Sequence, residues 1–421
     1  MQCRNRPVPP KPKASCATAM YNAGPFRGRR FYFPPAVRLN PILSKPGFDM
    51  TTSSFAPRRL RRVFSGLTTA AALLLAAPLG AIETCIGPFG LGMPQGDACR
   101  PFEGNRAKIR IDALAQTLTD TTVSRLRIVS DDAPDSTFNL SALAGNETIR
   151  HLDIFRKGPV DLTPILEMKG LKSLSLSSDA ALALAQLAPA PIGIEALRIY
   201  IPGEPLDVSP LAGWHGLRIL DTYTAGLSGT QALSNLTALE RVHIKQGAQS
   251  DFSALAGLTA LRDLSIEGVL GRAALDDIGF ATDLVRLEKV DFSGNQISDI
   301  TALAAKPVLR IVTLSENRRL ADISALASAK ALSVLQLRRT DVSDLSPLAG
   351  LSELRILWLG RAPVSDIEPL RGLPHLGGVE LSNTGVTDVS ALGGAPIKHL
   401  DLRGTAVTDT SMIAAGAKIK K

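Results

Sequence analysis

The chain has 421 residues, 45% of them hydrophobic, and a formal net charge of +8. The positive charge lies at the front: residues 1–81 hold 13 of the 47 Lys and Arg and one of the 39 acidic residues, which leaves 34 basic and 38 acidic residues for 82–421. A mildly acidic main body is not typical of nucleic-acid-binding proteins, so the net charge does not indicate that class.

Residues 1–49 are rich in proline and in basic residues and have no periodic apolar pattern. Met50 stands directly before a segment with the layout of an export signal, so translation is expected to start there. Residues 1–49 are then an over-extended gene start. The alternative is a disordered basic N-terminal arm, which the same composition fits.

Residues 50–81 have the layout of a secretory signal peptide. Four arginines between positions 58 and 62 form the charged front, an apolar stretch of 15 residues runs over 63–77, and small residues lead to Ala81. That stretch is too short for a permanent membrane span. We expect cleavage after Ala81, no stable membrane span in the mature protein, and a secreted or periplasmic location. The Arg61-Arg62 pair leaves both the general secretory and the twin-arginine export route open.

Residues 82–119 are expected to form an N-terminal cap with a disulfide. Cys85 and Cys99 flank a Gly- and Pro-rich segment, and an oxidising compartment favours their pairing. A loop of that length contributes about 3 kcal/mol in the chain-entropy model. A cap is needed because the first repeat unit otherwise exposes its apolar side. The sequence has no cysteine after Cys99, which excludes a thiol nucleophile or thiolate metal site there.

Thirteen apolar tripeptides then follow one another at steps of 21 to 26 residues. They begin at Leu126, Leu152, Leu174, Leu197, Leu220, Val242, Leu264, Val290, Val312, Leu335, Leu357, Val379 and Leu400. A period near 22 residues indicates a stack of similar units, each of which buries its apolar side only against its neighbours. The spacing therefore predicts an α/β solenoid over 120–413, followed by a basic C-terminal tail at 414–421.

Each unit predicts a strand on one side of the coil and a tight turn on the other. In one unit, residues 356–359 alternate as in a short strand, and Leu345, Leu348 and Leu351 recur every third residue as in a 3₁₀ turn. An aspartate stands just before the turn in successive units, at Asp299, Asp322, Asp344, Asp366, Asp388 and Asp409. A carboxylate there can accept exposed backbone N–H groups, so we interpret these residues as caps rather than as a calcium ladder.

These units resemble the leucine-rich repeat, and in particular the 22-residue repeat of bacterial internalins. The resemblance rests on segments such as 297–303, which reads ISDITAL, and 342–351, which reads VSDLSPLAGL. It implies a right-handed coil with a parallel β-sheet on the concave side and short helical or 3₁₀ turns on the convex side. It also implies a protein-binding role.

The chain departs from that family at a position usually filled by a buried asparagine. Asn295 fits the pattern, whereas Thr340, Thr384 and Thr405 replace the asparagine in other units. Ala362 cannot form a side-chain hydrogen bond there. We therefore expect threonine hydroxyls or water to satisfy part of the backbone.

Function is expected on the concave face, where the residues before, between and after the two apolar positions of each strand point outward. Two candidate partner-binding surfaces follow. The aromatic patch consists of Phe155, Tyr200, Tyr223, His243 and Lys245, and the tryptophan patch consists of Ile311, Val334, Arg338, Ile356 and Trp358. Exposed Trp, Tyr and Arg dominate protein-binding hot spots. The alternative is that neighbouring side chains bury them.

A polar cluster stands at the end of the repeats. His399 and Asp401 alternate on the last predicted strand, Glu380 is expected beside Asp401, and Arg403 follows. Two adjacent carboxylates repel each other unless a cation relieves them. A divalent metal site, an acid–base pair or neutralisation by Arg403 fits this pattern.

The sequence has no nucleophile elbow, no phosphate-binding glycine loop and no pair of histidines at helical spacing. We therefore predict a protein that is not an enzyme and needs no cofactor or metal. It is expected to be an exported leucine-rich-repeat protein that binds a protein ligand through its concave sheet and binds no nucleic acid. Two alternatives are a structural or self-associating envelope component and a metal-dependent enzyme built on the polar cluster.

Overall fold

The structure is a computed structural model that describes residues 85–86, 92–93, 105–130, 138–178, 183–188, 193–246, 251–268 and 275–421. The chain divides into two units, Met1–Ala77 and Pro78–Lys421, and the first lies outside the described residues. The expectations for residues 1–81 also fall outside them. Of the two cysteines in the predicted disulfide, only the backbone of Cys85 is described.

The described part of the second unit is built on one parallel sheet. A short antiparallel pair, β1 (Cys85–Ile86) and β2 (Gly92–Met93), precedes it. The strands of the main sheet are β3 (Asn105–Arg110), β4 (Val123–Ser130), β5 (His151–Arg156), β6 (Ser173–Ser178), β7 (Ala196–Asp207), β8 (Ile219–Ser228), β9 (Arg241–Gln246), β10 (Asp263–Gly268), β11 (Lys289–Asp291), β12 (Ile311–Thr313), β13 (Val334–Gln336), β14 (Ile356–Trp358), β15 (Gly378–Glu380), β16 (His399–Asp401) and β17 (Lys418–Lys420). Each strand from β4 to β16 pairs with the strand before it and the strand after it in the chain. The solenoid predicted from the repeat is therefore confirmed.

The thirteen tripeptides begin in β4 to β16, and their first residues form one continuous register. Leu335 on β13 pairs with Leu357 on β14, which pairs with Val379 on β15, and the same relation holds along the stack. Two further strands, β3 and β17, continue the register through Ala107 and Ile419. The tripeptide pattern misses both because end units of a solenoid have atypical sequences.

Short turns connect the strands on the other side of the coil. Among the described residues, α-helix is limited to α1 (Leu114–Thr117). The 3₁₀ turns are Ile111–Ala113, Ser141–Leu143, Thr163–Glu167, Leu184–Leu187, Ser209–Gly213, Thr230–Asn235, Ser253–Leu255, Gly279–Ala281, Thr301–Leu303, Ser324–Ser328, Ser346–Leu348, Glu368–Leu370 and Ser390–Leu392. Within the described residues, no helix has both the length and the apolar character needed to cross a bilayer.

Apolar side chains from the strands and from the turns meet in one core that runs along the coil. In a representative unit, Leu345, Leu348 and Leu351 from the turn are fully buried, as are Leu357 and Leu359 from the strand. Each unit shields the core of the next, so burial is continuous although a single unit is only about 22 residues long.

The aspartates before the turns act as the sequence predicts. Asp344 Oδ1 accepts a hydrogen bond from the backbone N–H of Ser346 at 2.8 Å. In five other units the aspartate likewise accepts a hydrogen bond from the backbone N–H two residues later. These aspartates are Asp299, Asp322, Asp366, Asp388 and Asp409. These backbone hydrogen bonds lower the pKa of Asp344, Asp388 and Asp409 below the usual value. The capping interpretation is confirmed.

Threonine hydroxyls replace the missing asparagines, as expected. Thr340, Thr384 and Thr405 each donate to the carbonyl three residues earlier at 2.7 Å. Asn295 donates to the carbonyls of Ile266 and Phe292. Thus the buried backbone at the end of these strands is satisfied by two side-chain types.

Asn317 is a second ladder asparagine that the spacing does not reveal. It donates to the carbonyls of Phe292 and Leu314, and its Oδ1 accepts from the N–H of Ile297 at 3.0 Å. Two residues, Arg318 and Arg319, stand between Asn317 and Leu320, whereas only one stands between Asn295 and Ile297. A search at the usual spacing therefore does not find Asn317.

Candidate functional site

The concave face carries the outward residues of every strand. On β14, Leu357 is fully buried, whereas Ile356 and Trp358 on either side of it are only half-buried. Because the register is continuous, the outward residues form three columns that run across the sheet. Both predicted patches lie in these columns.

The aromatic patch has a compact centre made of two tyrosines and a lysine. Tyr200, Tyr223 and Lys245 are paired in register on β7, β8 and β9. The two rings are 4.9 Å apart between centroids with an interplanar angle of 55°, and Lys245 Nζ lies 5.8 Å from the Tyr223 centroid. Lys245 also pairs with Glu267 at 3.0 Å. This arrangement holds both rings in fixed orientations.

Phe155 does not join this centre. It lies on β5, with Ser177 on β6 between it and Tyr200. Its ring is instead covered by the guanidinium of Arg127, 5.1 Å from the centroid. The structure thus divides the aromatic patch into the tyrosine pair and a separate Phe155.

His243, the fourth member of the aromatic patch, is buried in a group of charged side chains. We name this group the charge network: Arg198, Asp221, Arg241, His243, Asp263 and Lys289. His243 lies between two carboxylates, with Nε2 2.9 Å from Asp263 Oδ1 and Nδ1 3.6 Å from Asp221 Oδ1. The imidazole of His243 is therefore not free to contact a partner, which could reach only the outer edge of the charge network.

Three cations surround the two carboxylates. Arg198 Nε is 3.2 Å from Asp221 Oδ2. Arg241 Nε is 3.3 Å from Asp263 Oδ2, and Lys289 Nζ is 3.5 Å from Asp263 Oδ1. The Asp263 side chain is 5% exposed, so these attractions act with little screening by water. These ion pairs hold the side chains of the charge network in place beside the two tyrosines.

Titration of the acidic groups reflects this environment. Burial acts to raise the pKa of Asp263, but the hydrogen bond from His243 and the charges of His243, Lys289 and Arg241 outweigh it, so the pKa lies below the usual 3.8. Asp291 behaves in the opposite way. Burial raises its pKa, and the nearby charge of Glu267 adds to the effect.

A cavity of 180 Å³ opens between the tyrosine pair and the charge network. Its lining residues are Ile199, Tyr200, Asp221, Thr222, Tyr223, His243, Ile244, Lys245, Ser265 and Glu267. Small-molecule sites usually have volumes of about 300–1,000 Å³, so this cavity suits a single anchoring side chain better than a whole ligand.

The tryptophan patch is continuous. Ile311, Val334 and Ile356 are paired in register on β12, β13 and β14, and all three are half-buried. The guanidinium carbon of Arg338 lies 4.1 Å from the centroid of the Trp358 ring. The patch therefore joins an apolar row to a stacked Trp–Arg pair.

Arg338 is held in place by a carboxylate two strands away. It forms an ion pair and hydrogen bond with Glu380, which also accepts from the Ser382 hydroxyl at 2.8 Å. Gly360 leaves room for this contact, because a Cβ there would lie 2.6 Å from Glu380 Oε1. The Arg338 side chain is thus fixed above Trp358.

In the polar cluster at the end of the sheet, each of the two carboxylates forms an ion pair with a different arginine. Glu380 and Asp401 lie opposite each other in register, as expected. Asp401 is bound by Arg403, with Nη2–Oδ2 at 2.6 Å, and this hydrogen bond lowers the pKa of Asp401. Glu380 is neutralised by Arg338 instead. Within the described ranges, no three His, Cys, Asp or Glu side chains are placed to hold a metal ion.

Several residues of the site are missing from the sequence-based patches. Asp221, Asp263, Arg241 and Lys289 build the charge network, and Glu380 orients Arg338. A signal was present in the aligned units: Arg241, Asp263 and Lys289 alternate in charge along the first outward column. Opposite charges on adjacent strands predict pairing.

Solved structures that are similar to this chain include two bacterial leucine-rich-repeat proteins. An internalin from Listeria monocytogenes matches with a TM-score of 0.55 and 23% sequence identity, over 66% of this chain and 80% of that one. A leucine-rich-repeat protein from Leptospira interrogans matches with a TM-score of 0.54 and 14% identity, over 75% and 90%. No protein-family model and no curated protein matches the chain. These likenesses agree with the strand stack, and the fold is an internalin-like leucine-rich-repeat solenoid.

Proposed function

We propose that the chain is an exported, secreted or periplasmic leucine-rich-repeat protein that binds a protein partner through its concave sheet and carries out no catalysis. The observation that carries this proposal is the 180 Å³ cavity between the tyrosine pair and the charge network. Its size suits one anchoring side chain, and two tyrosines in its lining, Tyr200 and Tyr223, are of a residue type enriched in binding hot spots.

Rigidity of the two patches supports this proposal. Tyr223 is held between Tyr200 and Lys245, and Arg338 is held between Trp358 and Glu380. Side chains fixed before binding lose little conformational entropy when a partner docks. A surface of this kind favours specific recognition over loose adhesion.

The separation of the patches indicates the size of the partner. Tyr223 lies on β8 and Trp358 lies on β14, six strands further along the stack. At about 4.8 Å per strand the two residues are about 30 Å apart. A partner that touches both would cover a surface of ordinary interface size, which suits a folded protein domain.

Site-specific photo-crosslinking tests this proposal. A photoreactive phenylalanine analogue would replace Tyr223 or Trp358 in the full chain, expressed in the cells that produce the protein. Val285 provides a matched control, because its side chain is 51% exposed in the turn before β11 and lies in neither patch. We expect the same crosslinked protein from both patches and none from position 285.

Two outcomes would contradict the proposal. Equal crosslinking from position 285 would mean that the concave face is not selective. A crosslinked species that contains only two copies of this chain would favour the self-associating alternative. For a partner that is recovered, Tyr223→Ala and Trp358→Ala should each weaken binding about tenfold or more, as hot-spot truncations do.

A further inference from the structure

A second surface with distinct chemistry lies beyond the ends of the strands. We name it the arginine basin: Arg318, Arg339 and Arg361, with Thr340 between them. These four residues line an open cavity of 380 Å³. The three arginines come from three successive units, in the turns that follow β12, β13 and β14. The basin adjoins the tryptophan patch, because Arg338 and Arg339 are consecutive.

Two of these arginines occupy a backbone conformation that normally suits glycine or asparagine. Arg339 has φ of 54° and Arg361 has φ of 65°. The equivalent position in neighbouring units holds Gly294, Glu316, Asn383 and Gly404, all with positive φ. Any side chain with a Cβ is disfavoured there, because the Cβ comes too close to the backbone carbonyl oxygen. Glu316 shares this conformation, so the strain is common to these units. Arg339 and Arg361 are distinguished by their guanidinium groups, which line one cavity together with Arg318.

An insertion brings the third arginine to the same place. The segment from Asn317 to Leu320 has one residue more than the equivalent segment from Asn295 to Ile297. The added length places Arg318 outside the coil, where its side chain is 71% exposed and lines the basin.

The basin has more positive than negative side chains, and a carboxylate holds part of the positive charge in place. Glu316 binds Arg339 at 2.9 Å and lies 3.7 Å from Arg318. Arg361 makes no ion pair with any residue that the structure describes. Three guanidinium groups therefore face one carboxylate. The Glu316 carboxylate orients Arg339 through a hydrogen bond, and the guanidinium group of Arg361 is left for an incoming anion.

We propose that the arginine basin is an oxyanion site that takes a phosphate or sulfate group. Guanidinium forks match the geometry of tetrahedral oxyanions and bind them through paired N–H donors. This site goes beyond the partner-binding surface proposed above and does not depend on it. The cavity is larger than one such group needs, so an anion with two linked groups should reach more of the arginines.

Isothermal titration calorimetry of the full chain tests the site with inorganic phosphate, sulfate and pyrophosphate, at fixed sodium chloride. We expect pyrophosphate to bind at least tenfold more tightly than inorganic phosphate. Equal affinity for the two would identify a single free ion as the ligand and would still support the site. The absence of heat from all three anions would overturn the proposal.

Two variants remove the guanidinium groups without threatening the fold. Arg361→Asn introduces the residue found at the equivalent Asn383, and Arg339→Gly introduces the residue of Gly294 and Gly404. Each should weaken pyrophosphate binding tenfold or more while leaving thermal stability unchanged or raised. Arg286→Asn is the matched control, since Arg286 is exposed and lies outside the basin. An equal loss in Arg286→Asn would mean general charge attraction and would refute a defined site.

Discussion

Replacing Asp263 by Asn should destabilise the protein more than any exposed charge change in the same sheet. The carboxylate contacts His243 at 2.9 Å, Arg241 at 3.3 Å and Lys289 at 3.5 Å, and its side chain is 5% exposed. Removing one partner of a buried ion pair leaves the opposite charges uncompensated, which costs about 3–5 kcal/mol. We therefore expect Asp263→Asn to lower the free energy of unfolding by about that amount at pH 7.

The exposed pair Lys172–Glu195 provides the comparison. Its atoms are closer, at 2.8 Å, but the side chains are 46% and 41% exposed. Exposed pairs contribute about 0–1 kcal/mol, so Glu195→Gln should have little effect. Urea unfolding followed by circular dichroism measures both variants. An equal loss in the two would refute the reasoning that burial, rather than distance, sets the strength of these pairs.

The pH dependence of Asp263 has a definite sign. Its pKa in the folded protein lies below the usual 3.8, so the folded state binds the proton less readily than the unfolded chain does. The stabilisation is therefore complete above about pH 4 and is lost as the pH falls through the lowered folded pKa. The gap between the wild-type protein and Asp263→Asn should narrow below pH 4. A gap that stays constant down to pH 2 would contradict the pKa direction.

Three further outcomes are expected. Lys306 is buried and donates to the Thr282 carbonyl at 2.6 Å, and burial lowers the pKa of its ammonium group. The charge is therefore less favourable in the folded state, so in urea unfolding the stability of Lys306→Met relative to the wild type should fall as the pH rises toward 10.5. Asn317→Ala removes three buried hydrogen bonds and should cost about 2–4 kcal/mol in urea unfolding, whereas Thr340→Val removes one and should cost about 1 kcal/mol. Mass spectrometry of the exported protein should find Ile82 as its first residue, and an exported chain that retains 50–81 would contradict the signal peptide.

The fold could be predicted from the sequence because its information is local. Each unit contacts only its neighbours, so the apolar period fixes which residues lie inside without knowledge of distant parts of the chain. Leu357 and Leu359 are inward and Trp358 is outward for that reason. The end strands β3 and β17 were missed where the period fades, since a unit with one neighbour needs fewer apolar residues.

The candidate site was only partly predictable. The columns of outward residues follow from the period, and they correctly bring Tyr200 beside Tyr223 and Ile311 beside Val334. The same columns gave no reason to separate Phe155 from the tyrosines or to bury His243. Those outcomes depend on which neighbours are large and charged, which is a property of several strands together.

The sequence by itself determined the coil, its register and the direction in which each strand residue points, because these depend on apolar spacing alone. Only the tertiary structure decided which charges meet. His243 is enclosed by Asp221 and Asp263 from two different strands, and Arg338 reaches across Trp358 to Glu380 rather than pairing nearer in the chain. Long side chains choose partners by reach and rotamer across the assembled sheet, and that choice exists only once the strands lie side by side.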